Sequence, residues 1–81
     1  MRTSPSPRIA TWSPTTEAPA SYRLADRRGR RVVAEVTALI SHAGIVWMAT
    51  AQLGNRTFDL DVDDLEAPRL GSRVAFVLDD A

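Results

Sequence analysis

The sequence predicts an all-β fold, a small four- or five-stranded antiparallel barrel behind a disordered N-terminal tail. Three observations predict it. Phe58, Leu60 and Val62 alternate strictly with Asp59, Asp61 and Asp63, the pattern of a strand with one buried and one solvated face. Gly54-Asn55, between two alternating runs, is a two-residue hairpin signal in which both residues tolerate positive φ. Four of the five prolines (Pro5, Pro7, Pro14, Pro19) fall among the first twenty residues, mixed with Ser and Thr. Such a stretch buries too little apolar surface to offset its ordering entropy.

The tail therefore spans 1–20 and the domain 21–81. Ile9 and Trp12 are the apolar exceptions in the tail, and Trp12 either docks on a partner or packs back on its own domain. The domain opens with Tyr22 and Leu24, a short strand, and a break at Asp26–Gly29, where glycine offers a permissive backbone. Residues 31–41 fit two templates. Val32, Ala34, Val36, Ala38 and Ile40 alternate as a strand, whereas Val32, Val33, Val36, Leu39, Ile40 and Ala43 fit a helix stopped by Gly44. The β-branched content favours the strand; the alternative is an α+β arrangement, one helix on a three-stranded sheet. Ile45, Trp47, Ala49, Ala51 and Leu53 share one strand face. Pro68 breaks ladder pairing in the connection 63–70, with Leu65 as a plug for the barrel end. Val74, Phe76 and Leu78 face inward from the last strand.

A chain of 81 residues buries only about 60% of its unfolded surface. With no cysteine, its core has neither disulfide nor thiolate metal support. Net charge is zero but divided. Residues 1–31 hold seven arginines against Glu17 and Asp26, a net +5, and residues 32–81 hold three against eight acids, a net −5. No run approaches the roughly 20 apolar residues of a membrane span, and the prolines interrupt any secretory signal, so a cytoplasmic protein is expected.

Catalysis is not expected. Ser41 and His42 are strand neighbours pointing to opposite faces, and no second histidine or cysteine completes a triad. Asp59, Asp61 and Asp63 begin like a calcium loop, but Asp64 and Leu70 stand where that loop needs glycine and a bidentate acid. No cofactor or metal is expected. Two surfaces remain. Arg27, Arg28, Arg30 and Arg31 suit phosphates, with Trp47 or Trp12 to stack on bases. Asp59, Asp61, Asp63, Asp64 and Glu66 form an acidic ridge that, with Trp12 as anchor, would engage a basic protein. A small barrel with a free edge also predicts self-association into a homodimer.

Residues 34–79 resemble the cold-shock branch of the oligonucleotide/oligosaccharide-binding (OB) fold. The likeness runs through Ala34–Ile40, Gly44-Ile45-Val46-Trp47-Met48, Thr57-Phe58-Asp59-Leu60 and Leu70-Gly71-Ser72-Arg73-Val74-Ala75-Phe76. It implies an OB-like barrel that binds single-stranded nucleic acid by stacking bases on exposed aromatics over a basic surface. Trp47 is the one aromatic of the second strand, and Asp59 and Asp61 occupy the third, where that family carries an aromatic and histidine platform. A Src-homology-3-like barrel fits the connection 63–70 equally well.

Overall fold

A computed structural model describes residues 6–24 and 29–78. Seven strands form one curled sheet: β1 (Arg8–Ile9), β2 (Ser13–Thr15), β3 (Ala20–Arg23), β4 (Arg30–His42), β5 (Ile45–Leu53), β6 (Arg56–Asp61) and β7 (Arg73–Leu78). A single 3-10 turn, Asp64–Glu66, lies between β6 and β7. The all-β reading holds. The helical alternative for 31–41 does not, because the whole segment lies within β4. Among the described residues no helix is long and apolar enough to cross a membrane.

The strand order is β1-β6-β5-β4-β7-β2, with β3 on β4 beside this path. This corrects the expectation of four or five strands, all antiparallel. β4 is thirteen residues long and central. Its first half pairs with β7 on one side and β3 on the other, and its second half pairs with β5. All contacts are antiparallel except β1 on β6.

Residues 6–20 also differ from the expected tail. β1 lies along β6, tied by the Asp59 N–H to the Pro7 carbonyl at 2.9 Å. Only a few residues later, β2 lies along β7. The arm thus crosses the seam between the two outermost strands of the hairpin sheet and covers both. Ile9 is buried in the core, and the Trp12 indole N–H donates to the Asp61 carbonyl at 2.7 Å. The core is Ile9, Val32, Ala34, Val36, Ala49, Ala51, Phe58, Leu60, Val74 and Phe76, with Leu39, Leu53, Val62 and Leu78 packed against it.

Two bulges set the direction of β4 and β5. Val36 pairs with Ala51 and Ala38 with Thr50, leaving Thr37 as the extra residue; Ile40 pairs with Met48 and Ser41 with Val46, leaving Trp47. The first bulge shifts the alternation, so that Leu39, rather than Ala38 or Ile40, packs on the core. Leu65 is 91% exposed and plugs nothing, since the 3-10 turn carries it away from the sheet.

The turns are made by backbone geometry. In Gly54-Asn55 only Gly54 has positive φ (60°), which makes it the first residue of a II′-like turn rather than one of a positive pair. The tip of β4–β5 has the paired geometry instead, Ala43 at φ 54° and Gly44 at φ 80°. An alanine there carries a steric cost that asparagine reduces. Ala43→Asn is therefore expected to stabilise the fold by about 0.5–1 kcal/mol, read as a higher urea midpoint at unchanged slope. Gly29 plays a steric part: a Cβ there would stand 2.8 Å from Val77 Cγ1.

Candidate nucleic-acid interface

The basic surface is built on the β3–β4 hairpin. Its register sets Arg23 directly opposite Arg30, and Tyr22 opposite Arg31. Directly opposed residues share a face, so Arg23 and Arg30 lie on one side of the ribbon and Tyr22 and Arg31 on the other. Arg23 has no local signature of its own, but counting the hairpin register back from Arg30 finds it. Arg27 and Arg28, in the connection of this hairpin, lie outside the described residues. Arg23 and Arg30 both interact with their surroundings.

Arg31 has a structural task. Its two terminal guanidinium nitrogens both donate to the Glu17 carboxylate, Nη1 to Oε1 at 2.9 Å, and Nη1 also donates to the Tyr22 hydroxyl. The pair fastens the segment after β2 to β4. The hydrogen bond from Arg31 holds the Glu17 carboxyl below the usual carboxylate range, against a smaller opposing effect of burial. The Arg31 guanidinium is correspondingly held above its ordinary value. A carboxyl depressed in the folded state contributes stability above its unfolded pKa and loses it as pH falls through the folded value. Glu17→Gln should therefore lower the thermal midpoint modestly at pH 7, and the difference from wild type should shrink as pH falls through the folded-state value of Glu17. The pair lies at the surface, Glu17 exposed and Arg31 half-buried, so the effect is small.

Trp47 stands elsewhere. It is 44% exposed near the tip of β4–β5. Ile40 and Ser41 lie opposite its flanking residues, Met48 and Val46, nine or more strand positions from Arg31. At about 3.3 Å per residue that is about 30 Å measured along β4. The arginine cluster and the expected stacking residue are not brought together. Trp12 is half-buried at the seam, with its N–H engaged, so the structure uses it internally. His42 is paired in register with Ile45, beside the tip turn.

The acidic ridge is largely absorbed by local structure. Asp61 accepts from Arg8 Nε at 2.6 Å. Asp63 caps the 3-10 turn through the Leu65 N–H at 3.2 Å. Asp64 accepts from the Val46 N–H at 3.0 Å and holds the end of β5. Among the described residues, Asp59 and Glu66 alone of the five make no side-chain hydrogen bond or ion pair. Beneath the arm a cleft of about 770 Å³ opens at the seam, bordered by Trp12, Asp63, Glu66 and Arg69.

No family model, curated protein or solved structure matches this chain.

Proposed function

We propose that the chain is a non-enzymatic nucleic-acid-binding accessory or regulatory module that holds the backbone of a single strand through its β3–β4 hairpin. The observation that carries the reading is the register opposing Arg23 and Arg30. It sets Arg23 and Arg30 on one face of the hairpin, and the sequence carries Arg27 and Arg28 in the connection between them. Planar guanidinium forks suit phosphate oxygens, and a row of them tracks a backbone without reading its sequence. The curled sheet with its bridged seam is compatible with an OB-like or Src-homology-3-like barrel, which is the fold analogy behind the choice of a single strand.

The acidic-ridge alternative is less supported, because Asp61, Asp63 and Asp64 already serve the fold. The test is fluorescence anisotropy of a labelled single-stranded oligonucleotide. Binding should weaken steeply between about 50 and 200 mM salt, with a log–log slope near −3 if about four phosphates are neutralised. Replacing Arg27 and Arg28 together by Gln should reduce the slope by about 1.4. Trp47→Ala should leave the affinity within about twofold, because Trp47 lies beside the far end of β4 from the cluster, nine or more strand positions away. No anisotropy change for wild type at the lower salt would overturn the reading.

A further inference from the structure

One stretch of the chain carries no charge at all. From Val36 to Leu53, eighteen residues include no Asp, Glu, Lys or Arg, in a protein where 25% of residues are charged. This stretch is the second half of β4, the tip turn and the whole of β5. One edge of it is open. β7 follows β4 only as far as Glu35, with the 71–72 turn closing onto Val36. From Thr37 to His42 no strand pairs with β4 on that side among the described residues.

The rest of the sheet is treated differently. The edge of β6 is covered by β1 at Asp59 and Leu60, and that of β7 by β2 from Arg73 to Ala75, which leaves runs of three residues in each. Even the end of β5 is closed, by Asp64 on the Val46 N–H and by the Val62 N–H on the Trp47 carbonyl at 3.3 Å. β1, β2 and β3 themselves have open outer edges, but these are two to four residues long and carry Arg8, Pro14 and Arg23. Charge, proline, shortness and bulges are the ordinary means of blocking an edge. Among the described residues the edge at Thr37–His42 is the longest open one and has neither charge nor proline; its one bulge, at Thr37, lies at its first position. Beside it lies a shallow apolar groove formed by Ile40, Ser41, His42, Ile45 and Trp47, with Ile45 55% and Trp47 44% exposed.

We infer that the Thr37–His42 edge of β4 pairs antiparallel with the same edge of a second copy, forming a two-fold dimer whose apolar flank is the Ile40–Ile45–Trp47 groove. A two-fold interface must be complementary to itself, and a surface without charge meets that condition with no like-charge contact. A nucleic acid would find no cation here, and a charged protein would leave its own charges desolvated. Pairing satisfies backbone groups that water alone now serves and removes two exposed large apolar side chains per copy from water. A six-residue ladder is about 20 Å long. Such a small interface gives a micromolar rather than nanomolar dimer. The inference does not depend on the proposed function, since it is read without nucleic acid.

The test is sedimentation velocity of the full chain from about 5 to 500 µM, at about 0.1 and 0.5 M NaCl. The mass should rise from one copy toward two with concentration, equally at both salts, with a blue shift of tryptophan emission. Ile40→Lys and Ser41→Arg each place a charge on the edge in both copies and should remain monomeric throughout, with an unchanged far-UV spectrum. Should Ile40→Lys fail to fold, the exposed position 41 carries the test. Leu70→Lys, an exposed apolar position outside the hairpin, should dimerise as wild type does. A monomeric wild type at the highest concentration overturns the inference, as do folded edge variants that still dimerise. Co-sedimentation of monomeric wild type with neutral phosphatidylcholine vesicles overturns it too, by giving the apolar hairpin to a membrane.

Discussion

Phe58→Ala should abolish cooperative unfolding or leave a folded population that disappears in low urea. Phe58 is fully buried at the centre of the curl. Its ring meets that of Phe76 edge-on, centroids 5.0 Å apart at 61°. Removing a buried phenylalanine costs about 3–5 kcal/mol through lost transfer free energy and the cavity left behind. The edge-to-face contact contributes about 0.5–1.5 kcal/mol beyond the area buried. A chain of 81 residues has roughly 4–12 kcal/mol of total stability at the usual per-residue range. The other inward side chains include Ala34, Ala49 and Ala51, which are too small to close around the void. Phe58→Leu keeps most of the volume and should cost under about 1.5 kcal/mol. Urea titrations followed by circular dichroism separate the two variants. A Phe58→Ala chain with a wild-type midpoint would mean that the core does not rest on this ring.

The periodicity of Phe58 and Leu60 against Asp59 and Asp61 is legible because β6 pairs without interruption. β4 is ambiguous in sequence for a physical reason. The bulge at Thr37 moves the inward position from Ala38 to Leu39, so Val32, Val36 and Leu39 point to the core. Those three stand at i, i+4 and i+7, the spacing of a helix face. A strand with one bulge and a helix therefore share a pattern over this window, and only the β-branched residues separate them. The strands of the arm are hidden for another reason. Runs of two and three residues are too short to show alternation, and Pro14 within β2 reads as a breaker, although an edge strand accepts it. Ile9 and Trp12 were the available signals, and both serve the seam.

The candidate site was legible in its residue types and not in its grouping. Arginine-rich composition marks residues 23–31 directly, but whether Trp47 lies near them depends on the length of β4, which the sequence divides between two readings. The ridge aspartates were legible as an outward face. That Asp61 would be taken by Arg8, and Asp64 by a backbone amide of β5, depends on a parallel strand from the arm and on the 3-10 turn. Neither has a local signature.

Deleting residues 1–15 is the second large effect, and it separates a covering arm from a loose tail. A tail that makes no contacts could be removed at no cost. The arm instead supplies Ile9 to the core, the indole bond of Trp12 to Asp61, the Arg8 ion pair and two short ladders. Losing a buried isoleucine costs about 2–5 kcal/mol as a truncation to alanine. The hydrogen bond to the Asp61 carbonyl adds about 1 kcal/mol, and more where the carbonyl is left without a partner. The edges of β6 and β7 are bared together, so the shortened chain should both unfold at lower urea and aggregate through the opened seam. Two point variants divide the effect. Ile9→Ala should lower stability by about 2–4 kcal/mol with the chain still monomeric in dilute solution. Trp12→Phe keeps an aromatic ring of smaller area and removes the donor, and should cost about 1–2 kcal/mol. A chain of residues 16–81 that melts with the midpoint of the full protein would show that β1 and β2 add nothing to the sheet. A chain that loses its transition would place the lower limit of the folding unit within the first fifteen residues.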